Sequence, residues 1–177
     1  MKLYLLRHEE RPLDQVGFET ELTNMGKSRA STSLKNKLKA INIDEIFCSP
    51  FIRTLQTIDY YMKDESKVAN IEFAISEGLK EEETSIDLSK IERFNINLNY
   101  ESSIDNVSYP ENINDTIERV DIFINNLLKS NKNILLCTHQ TIVHIIISKL
   151  CNIDMSVLNF KMGMLGEIDE SMKLSIL

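Results

Sequence analysis

The chain has 177 residues, 42% hydrophobic and 27% charged, with a formal net charge of -7. A chain of this length can bury one core of its own, and with only five glycines and three prolines it has little material for linkers or repeats, so residues 1–177 are expected to form a single domain. The negative charge, with lysines scattered along predicted helices, excludes nucleic acid as an expected partner, although two or three arginines can set the potential of a small pocket.

Lys2 to Leu6 is a short apolar run before a polar cluster and reads as a buried strand. Arg7 arrives too soon for the apolar stretch of a secretion signal, and no run approaches the roughly 18 apolar residues of a membrane span. Thr23 can cap a helix predicted from about Asn24 to Ala40, where Ala30, Leu34 and Leu38 recur on one face. Ile43 to Cys48 repeats the strand signal and Ser49-Pro50 stops it. Phe51 to Met62 then returns to helical spacing through Ile52, Leu55 and Ile58, with Arg53 in the first turn. A third strand is predicted at Ile71 to Ile75. The region from Glu81 to Pro110 is polar, weakly periodic and rich in Asn and Ser. Its bulk, about residues 82–110, reads as an insertion over the site, because loops of that length are more often functional than not. Beyond it come a helix over Asn112 to Leu128, a buried strand at Ile134 to Cys137 and a helix from about Thr141 to Leu150. Cys48, Cys137 and Cys151 cannot pair completely and lie in apolar segments, so a reducing cytoplasm is the expected location.

Strands alternating with helices imply an α/β fold: a three-layer sandwich, its largely parallel central sheet covered by helices on both faces. Ligand sites in such folds gather beyond the carboxyl ends of the strands. Arg7 and His8 stand at one such end, Ser49-Pro50 with Arg53 at a second, and Thr138-His139 at a third. Three strand ends therefore offer guanidinium or imidazole groups to one crevice.

The segments Leu5-Leu6-Arg7-His8-Glu9-Glu10, Leu22-Thr23 with Gly26, Cys48-Ser49-Pro50-Phe51-Ile52-Arg53-Thr54 with Gln56-Thr57, and Thr138-His139 follow one another in an order that resembles the histidine phosphatase superfamily, the phosphoglycerate mutase-like group. The resemblance covers nearly the whole chain. It implies a metal-independent phosphatase in which His8 accepts the phosphoryl group as a phosphohistidine, while Arg7, Arg53 and His139 bind that group. Physical chemistry agrees, since phosphoryl transfer needs positioning and charge neutralisation on the equatorial oxygens, which guanidinium forks supply well. Two arginines nearby also disfavour protonation of His8 and keep its imidazole nucleophilic.

The same resemblance asks for a glutamate in the 77–83 region as general acid, after a Leu-any-Glu pattern that Leu79-Lys80-Glu81 matches. Glu81 is accordingly expected to be catalytic with His8 and His139, with Glu77 and Glu83 as alternatives. The chain departs from the family at Glu9, where a glycine is usual, at Arg11, where a small hydroxyl residue is common, and at Gln140-Thr141, where a glycine pair is usual. A carboxylate at position 9 would repel phosphate unless it turned away or paired with Arg11.

Cys48 and Arg53 are separated by four residues, one too few for a cysteine-phosphatase loop, and His139 and His144 are wrongly spaced for a zinc-binding pair on one helix face. The glycines form neither a dinucleotide fingerprint nor a phosphate loop, so neither a metal nor a cofactor is expected. The expected partner is a small phosphorylated substrate, with no nucleic acid and no membrane, and no heptad pattern fixes an oligomeric state. Two other functions share these residues: a phosphoglycerate mutase-type isomerase, and a non-catalytic phospho-ligand binding module, the latter favoured if Glu9 spoils the pocket.

Overall fold

The computed structural model describes residues 1–78, 86–105, 107 and 110–177. β1 (Leu3–Arg7) leads through α1 (Asn24–Arg29), a π-helical turn (Ala30–Leu34) and α2 (Lys35–Lys39) to β2 (Glu45–Cys48). α3 (Ile52–Asp64) and β3 (Asn70–Ile71) follow, then α4 (Ile113–Leu127), β4 (Ile134–Thr138), α5 (Gln140–Cys151), β5 (Leu165–Ile168) and β6 (Leu174–Ile176). The strands form one sheet in the order β3-β2-β4-β1-β5-β6, the first four mutually parallel, β5 antiparallel to β1 and β6 antiparallel to β5.

Period-two alternation assigns the two faces of the sheet. Tyr4, Leu6, Ile46, Cys48, Leu135 and Cys137 pack on one side with Leu34 of the π turn, Leu38 of α2, and Leu55 and Ile58 of α3. Leu3, Leu5, Phe47, Ile134 and Leu136 pack on the other with Val120, Ile124, Ile142 and Ile146 of α4 and α5. This is the α/β sandwich expected from the sequence. Each such fully buried aliphatic side chain is worth about 1.5–3 kcal/mol relative to exposure, so both layers are held by burial.

The differences from the predicted elements have local causes. The predicted strand at Ile71 to Ile75 pairs only through Asn70–Ile71 and then tightens into a 3₁₀ turn at Phe73–Ile75. The buried Glu72 carboxylate drives that turn, because it accepts from Ala74 N (2.9 Å) and also from Tyr100 OH, Ser102 Oγ, Ser103 N and Ser103 Oγ. The helix expected over Asn24 to Ala40 is continuous in path but contains the π turn. β5 and β6 lie in a region where no strand was expected. Within the expected insertion, Ile91, Phe94 and Val107 are buried, and Ala69 forms a parallel bridge with Ile96.

β4 enters between β2 and β1, which brings three parallel carboxyl ends side by side at roughly 4.8 Å per strand step. Backbone hydrogen bonds continue one residue past the strands, from His8 N to Thr138 O (2.9 Å) and from Ser49 N to Cys137 O (3.0 Å). The residues that follow β1 and β2 are thereby fixed against β4.

Candidate active site

His8 is buried, and its Nδ1 lies 2.7 Å from the carbonyl oxygen of Glu9. A carbonyl can only accept, so Nδ1 carries the ring proton and Nε2 keeps its lone pair. Burial first, and then the charges of Arg53 and Arg7, push the His8 pKa well below the usual histidine range, against the smaller opposing effect of the bond to Glu9. The imidazole is thus neutral near pH 7.

His139, fully buried, precedes α5 with its ring centroid 5.4 Å from that of His8. Its Nε2 lies 2.8 Å from Ser49 Oγ, which ties the end of β4 to the end of β2. Its Nδ1 has no hydrogen-bond partner among the described residues and faces Glu77 Oε2 at 3.4 Å. Burial, followed by Arg53 and His8, lowers its pKa well below the usual value.

Arg53 is buried on the first turn of α3, where Pro50 and the extended Phe51 have redirected the chain. Its Nη1 donates to Val16 O (3.2 Å) and Gly17 O (2.9 Å), and its Nη2 pairs with Glu77 Oε2 at 3.0 Å. The guanidinium also lies over the Phe51 ring at 4.4 Å, and Phe51 in turn packs edge-on against His139. Arg7 ends β1, with Nη1 donating to Phe160 O at 2.8 Å and Nε without a partner among the described residues. Phe160 N is held by His144 Nε2 (3.4 Å), which gives the half-buried His144 a structural contact.

The structure therefore brings His8, Arg53 and His139 together beyond the strand ends, with Arg7 close enough to act on His8. Glu81, the expected acid, and its alternative Glu83 lie outside the described residues. Glu77 is the remaining glutamate of that group, and it is in the site against Arg53 and His139. Its signal was present in the sequence, because Ile75-Ser76-Glu77 repeats the apolar-any-Glu pattern and Ile75 is fully buried. Ser49 was visible only as part of a motif.

Glu9 does not pair with Arg11. Its carboxylate is buried against Arg29 Nε at 2.9 Å, and its backbone N–H donates to Thr57 Oγ1 at 2.9 Å. Arg11 instead bonds the carbonyls of Pro12 and Gln15 in its own loop. Nothing in the sequence marks the pairing of Glu9 with a residue on α1, since it depends on how α1 is placed.

A family model describing the histidine phosphatase superfamily (branch 1) matches residues 3–165. The chain belongs to that superfamily. Among solved structures it is similar to the alpha-ribazole phosphatase from Shigella flexneri, with 22% identity, a TM-score of 0.72, and coverage of 100% of this chain and 95% of that one. The mycobacterial glucosyl-3-phosphoglycerate phosphatase in complex with inorganic phosphate gives 15% identity, a TM-score of 0.70, and coverage of 99% and 94%. The ecdysone phosphate phosphatase from Bombix mori, in complex with tungstate, gives 14%, 0.69, 99% and 91%. No curated protein matches the chain significantly.

Proposed function

We propose that this protein is a phosphatase that hydrolyses small phosphate monoesters through a phosphohistidine on His8, without a metal. The observation that carries the reading is the His8 ring: buried, neutral, with Nδ1–H spent on Glu9 O and Nε2 left as the nucleophile, beside two arginines and a second histidine. In the first half-reaction the Nε2 lone pair forms the N–P bond as the P–O bond to the leaving group breaks. Glu77, in its protonated form, gives its proton to the departing oxygen and releases an alcohol. In the second, water attacks phosphorus, its proton passes to the Glu77 carboxylate, the N–P bond breaks, and inorganic phosphate leaves. Arg7, Arg53 and His139 hold the equatorial oxygens throughout. The names of the three structurally similar proteins given above, each a phosphatase, support a phosphorylated small molecule as substrate.

Glu77 is given the acid role here on its contact with Arg53 and its place beside His139, and Glu81 is the alternative that the variants below distinguish. The binding-module alternative rested on a Glu9 carboxylate in the pocket, and that carboxylate is engaged by Arg29 instead. Among the described residues no cluster of His, Cys, Asp or Glu is arranged to hold a metal ion, and no helix is long and apolar enough to cross a membrane.

Hydrolysis of p-nitrophenyl phosphate should be abolished by His8→Ala and unaffected by EDTA, and acid-labile phosphate should be trapped on the wild type but not on the variant. Inhibition by EDTA, or an active His8→Ala, would sink the mechanism. Glu77→Gln should slow alkyl phosphates far more than p-nitrophenyl phosphate, whose leaving group needs little protonation. If Glu81→Gln shows that discrimination and Glu77→Gln does not, the acid is Glu81.

A further inference from the structure

We propose that Arg29 is a positioning residue for His8: by holding the Glu9 carboxylate against α1, it keeps that charge out of the phosphate pocket and keeps the Glu9 carbonyl on His8 Nδ1. The inference rests on the site reading given above. Among the described residues the His8 ring makes one hydrogen bond, from Nδ1–H to Glu9 O at 2.7 Å. The nucleophile is therefore only as well placed as the Glu9 residue that follows it.

The N–H, the carbonyl and one carboxylate oxygen of Glu9 are each hydrogen-bonded. Its N–H donates to Thr57 Oγ1, and the Thr57 hydroxyl donates to Arg53 O at 2.7 Å, which links this peptide to the helix carrying Arg53. Its carboxylate Oε2 accepts from Arg29 Nε (2.9 Å) and from Glu10 N (3.2 Å). The other oxygen lies against Gly163, where an added Cβ would come within 2.4 Å of Oε1. Gly163 also has φ +74° and donates its N–H to His8 O at 3.0 Å. A glycine missing after the histidine is matched by a glycine here, which gives the carboxylate its room.

The Arg29 fork secures the neighbouring residue as well. Its Nη2 reaches Glu10 Oε2 at 3.1 Å, while Glu10 Oε1 accepts from Thr23 Oγ1 and Glu10 O accepts from Thr23 N. Residues 9 and 10 are thus tied to the beginning and end of α1. Without Arg29, Glu9 becomes a buried carboxylate with no cation, a costly state. The arginines of the crevice then become the charges that can attract it, and a carboxylate among them competes with phosphate for the same donors and withdraws the peptide from His8.

The test compares Arg29→Met, Arg29→Lys and the Glu9→Gln, Arg29→Met double variant in the full chain. Arg29 is on the helix surface with its side chain 38% exposed, and the double variant leaves no unpaired carboxylate at position 9. Arg29→Met should lower kcat/KM for p-nitrophenyl phosphate at least tenfold and weaken inhibition by inorganic phosphate. Arg29→Lys should recover most of the activity, and the double variant should recover phosphate affinity because the misplaced charge is gone. The chain has three histidines, so the imidazole 15N signals of His8 can be assigned by their loss in His8→Gln. They should report the Nδ1–H form alone in the wild type and a mixture with the Nε2–H form in Arg29→Met. This readout needs no turnover, so it tests the positioning role even if the phosphatase reading fails. An Arg29→Met variant with kcat/KM within twofold of wild type and an unchanged tautomer would overturn the proposal, as would a double variant that binds phosphate no better than Arg29→Met.

Discussion

Burial decides the charge of the two site histidines before any substrate arrives. His8 and His139 are both pushed well below the ordinary histidine pKa, by burial first and then by Arg53. On acidification the unfolded chain therefore takes up protons at these positions before the folded chain does. Stability is expected to fall as pH drops below about 6.5, by about 1.4 kcal/mol per unit for each histidine, and to level off once the folded pKa is passed. Calorimetry of His8→Asn between about pH 7 and 5 should show a shallower decline in Tm than the wild type, and equal slopes would mean that His8 titrates as an ordinary histidine. Arg53 is the complementary case, a charge kept by its geometry. One edge holds the Val16 and Gly17 carbonyls while another meets Glu77, a division of labour that a lysine ammonium cannot reproduce. Arg53→Lys should lower kcat by roughly 10²–10³-fold, the loss typical of a preorganised donor.

Glu77 is supplied by a short connection, and a buried ion pair shapes it. Arg119 of α4 donates Nε and Nη2 to the two oxygens of Glu111, at 2.7 and 2.6 Å. The same guanidinium binds Ala74 O at 2.6 Å and Ser76 O at 2.8 Å, while Glu111 N donates to Gly78 O at 2.7 Å. The pair is a template on which residues 73–78 are laid, and it fixes where Glu77 leaves the backbone. Removing one member of such a pair costs about 3–5 kcal/mol, equivalent to about 10 °C for a chain of this size. Arg119→Met should lower Tm by that order and, on the proposed mechanism, slow alkyl phosphates more than p-nitrophenyl phosphate, because Glu77 is displaced. Glu111→Gln combined with Arg119→Met should cost less than the sum of the single changes. Strict additivity, or loss of Tm with unaltered leaving-group dependence, would show that the pair supports the fold without guiding Glu77.

Taken whole, the chain carries a net charge of -7 yet gathers Arg7 and Arg53 at the carboxyl ends of its parallel strands. The sheet order achieves this, since β4 lies between β1 and β2 and places their loops around one crevice. An oxyanion bound there should stabilise the fold by linkage. Vanadate at about 100 times its Kd would add about 2.7 kcal/mol, read as a rise in Tm of roughly 5–10 °C. The rise should disappear in Arg7→Ala and Arg53→Ala, and its persistence in both would place the anion elsewhere.

Four candidate site residues were legible in the sequence because each stands at the end of a strand, directly beyond one, or in the first turn of a helix, and short apolar runs and helical spacing mark those places. His8 after Leu3–Arg7, His139 after Ile134–Thr138 and Arg53 after Pro50 are of this kind. The alternating faces of the sheet were legible for the same reason, since period two is a local property of the backbone. Glu72 bends the predicted third strand only because Tyr100, Ser102 and Ser103 come to it, and the final hairpin joins the sheet by pairing β5 with β1. Neither contact leaves a local trace. The partner of Glu9 is the clearest instance. Its neighbour in sequence, Arg11, was the natural candidate, yet the carboxylate meets Arg29, twenty residues away, because Thr23 and Gly26 dock α1 against Glu10. Sequence by itself determined which groups could do chemistry and on which strand ends they stand. Tertiary structure alone decided which charges neutralise one another, because an ion pair depends on separation in space and the chain records separation only along its length.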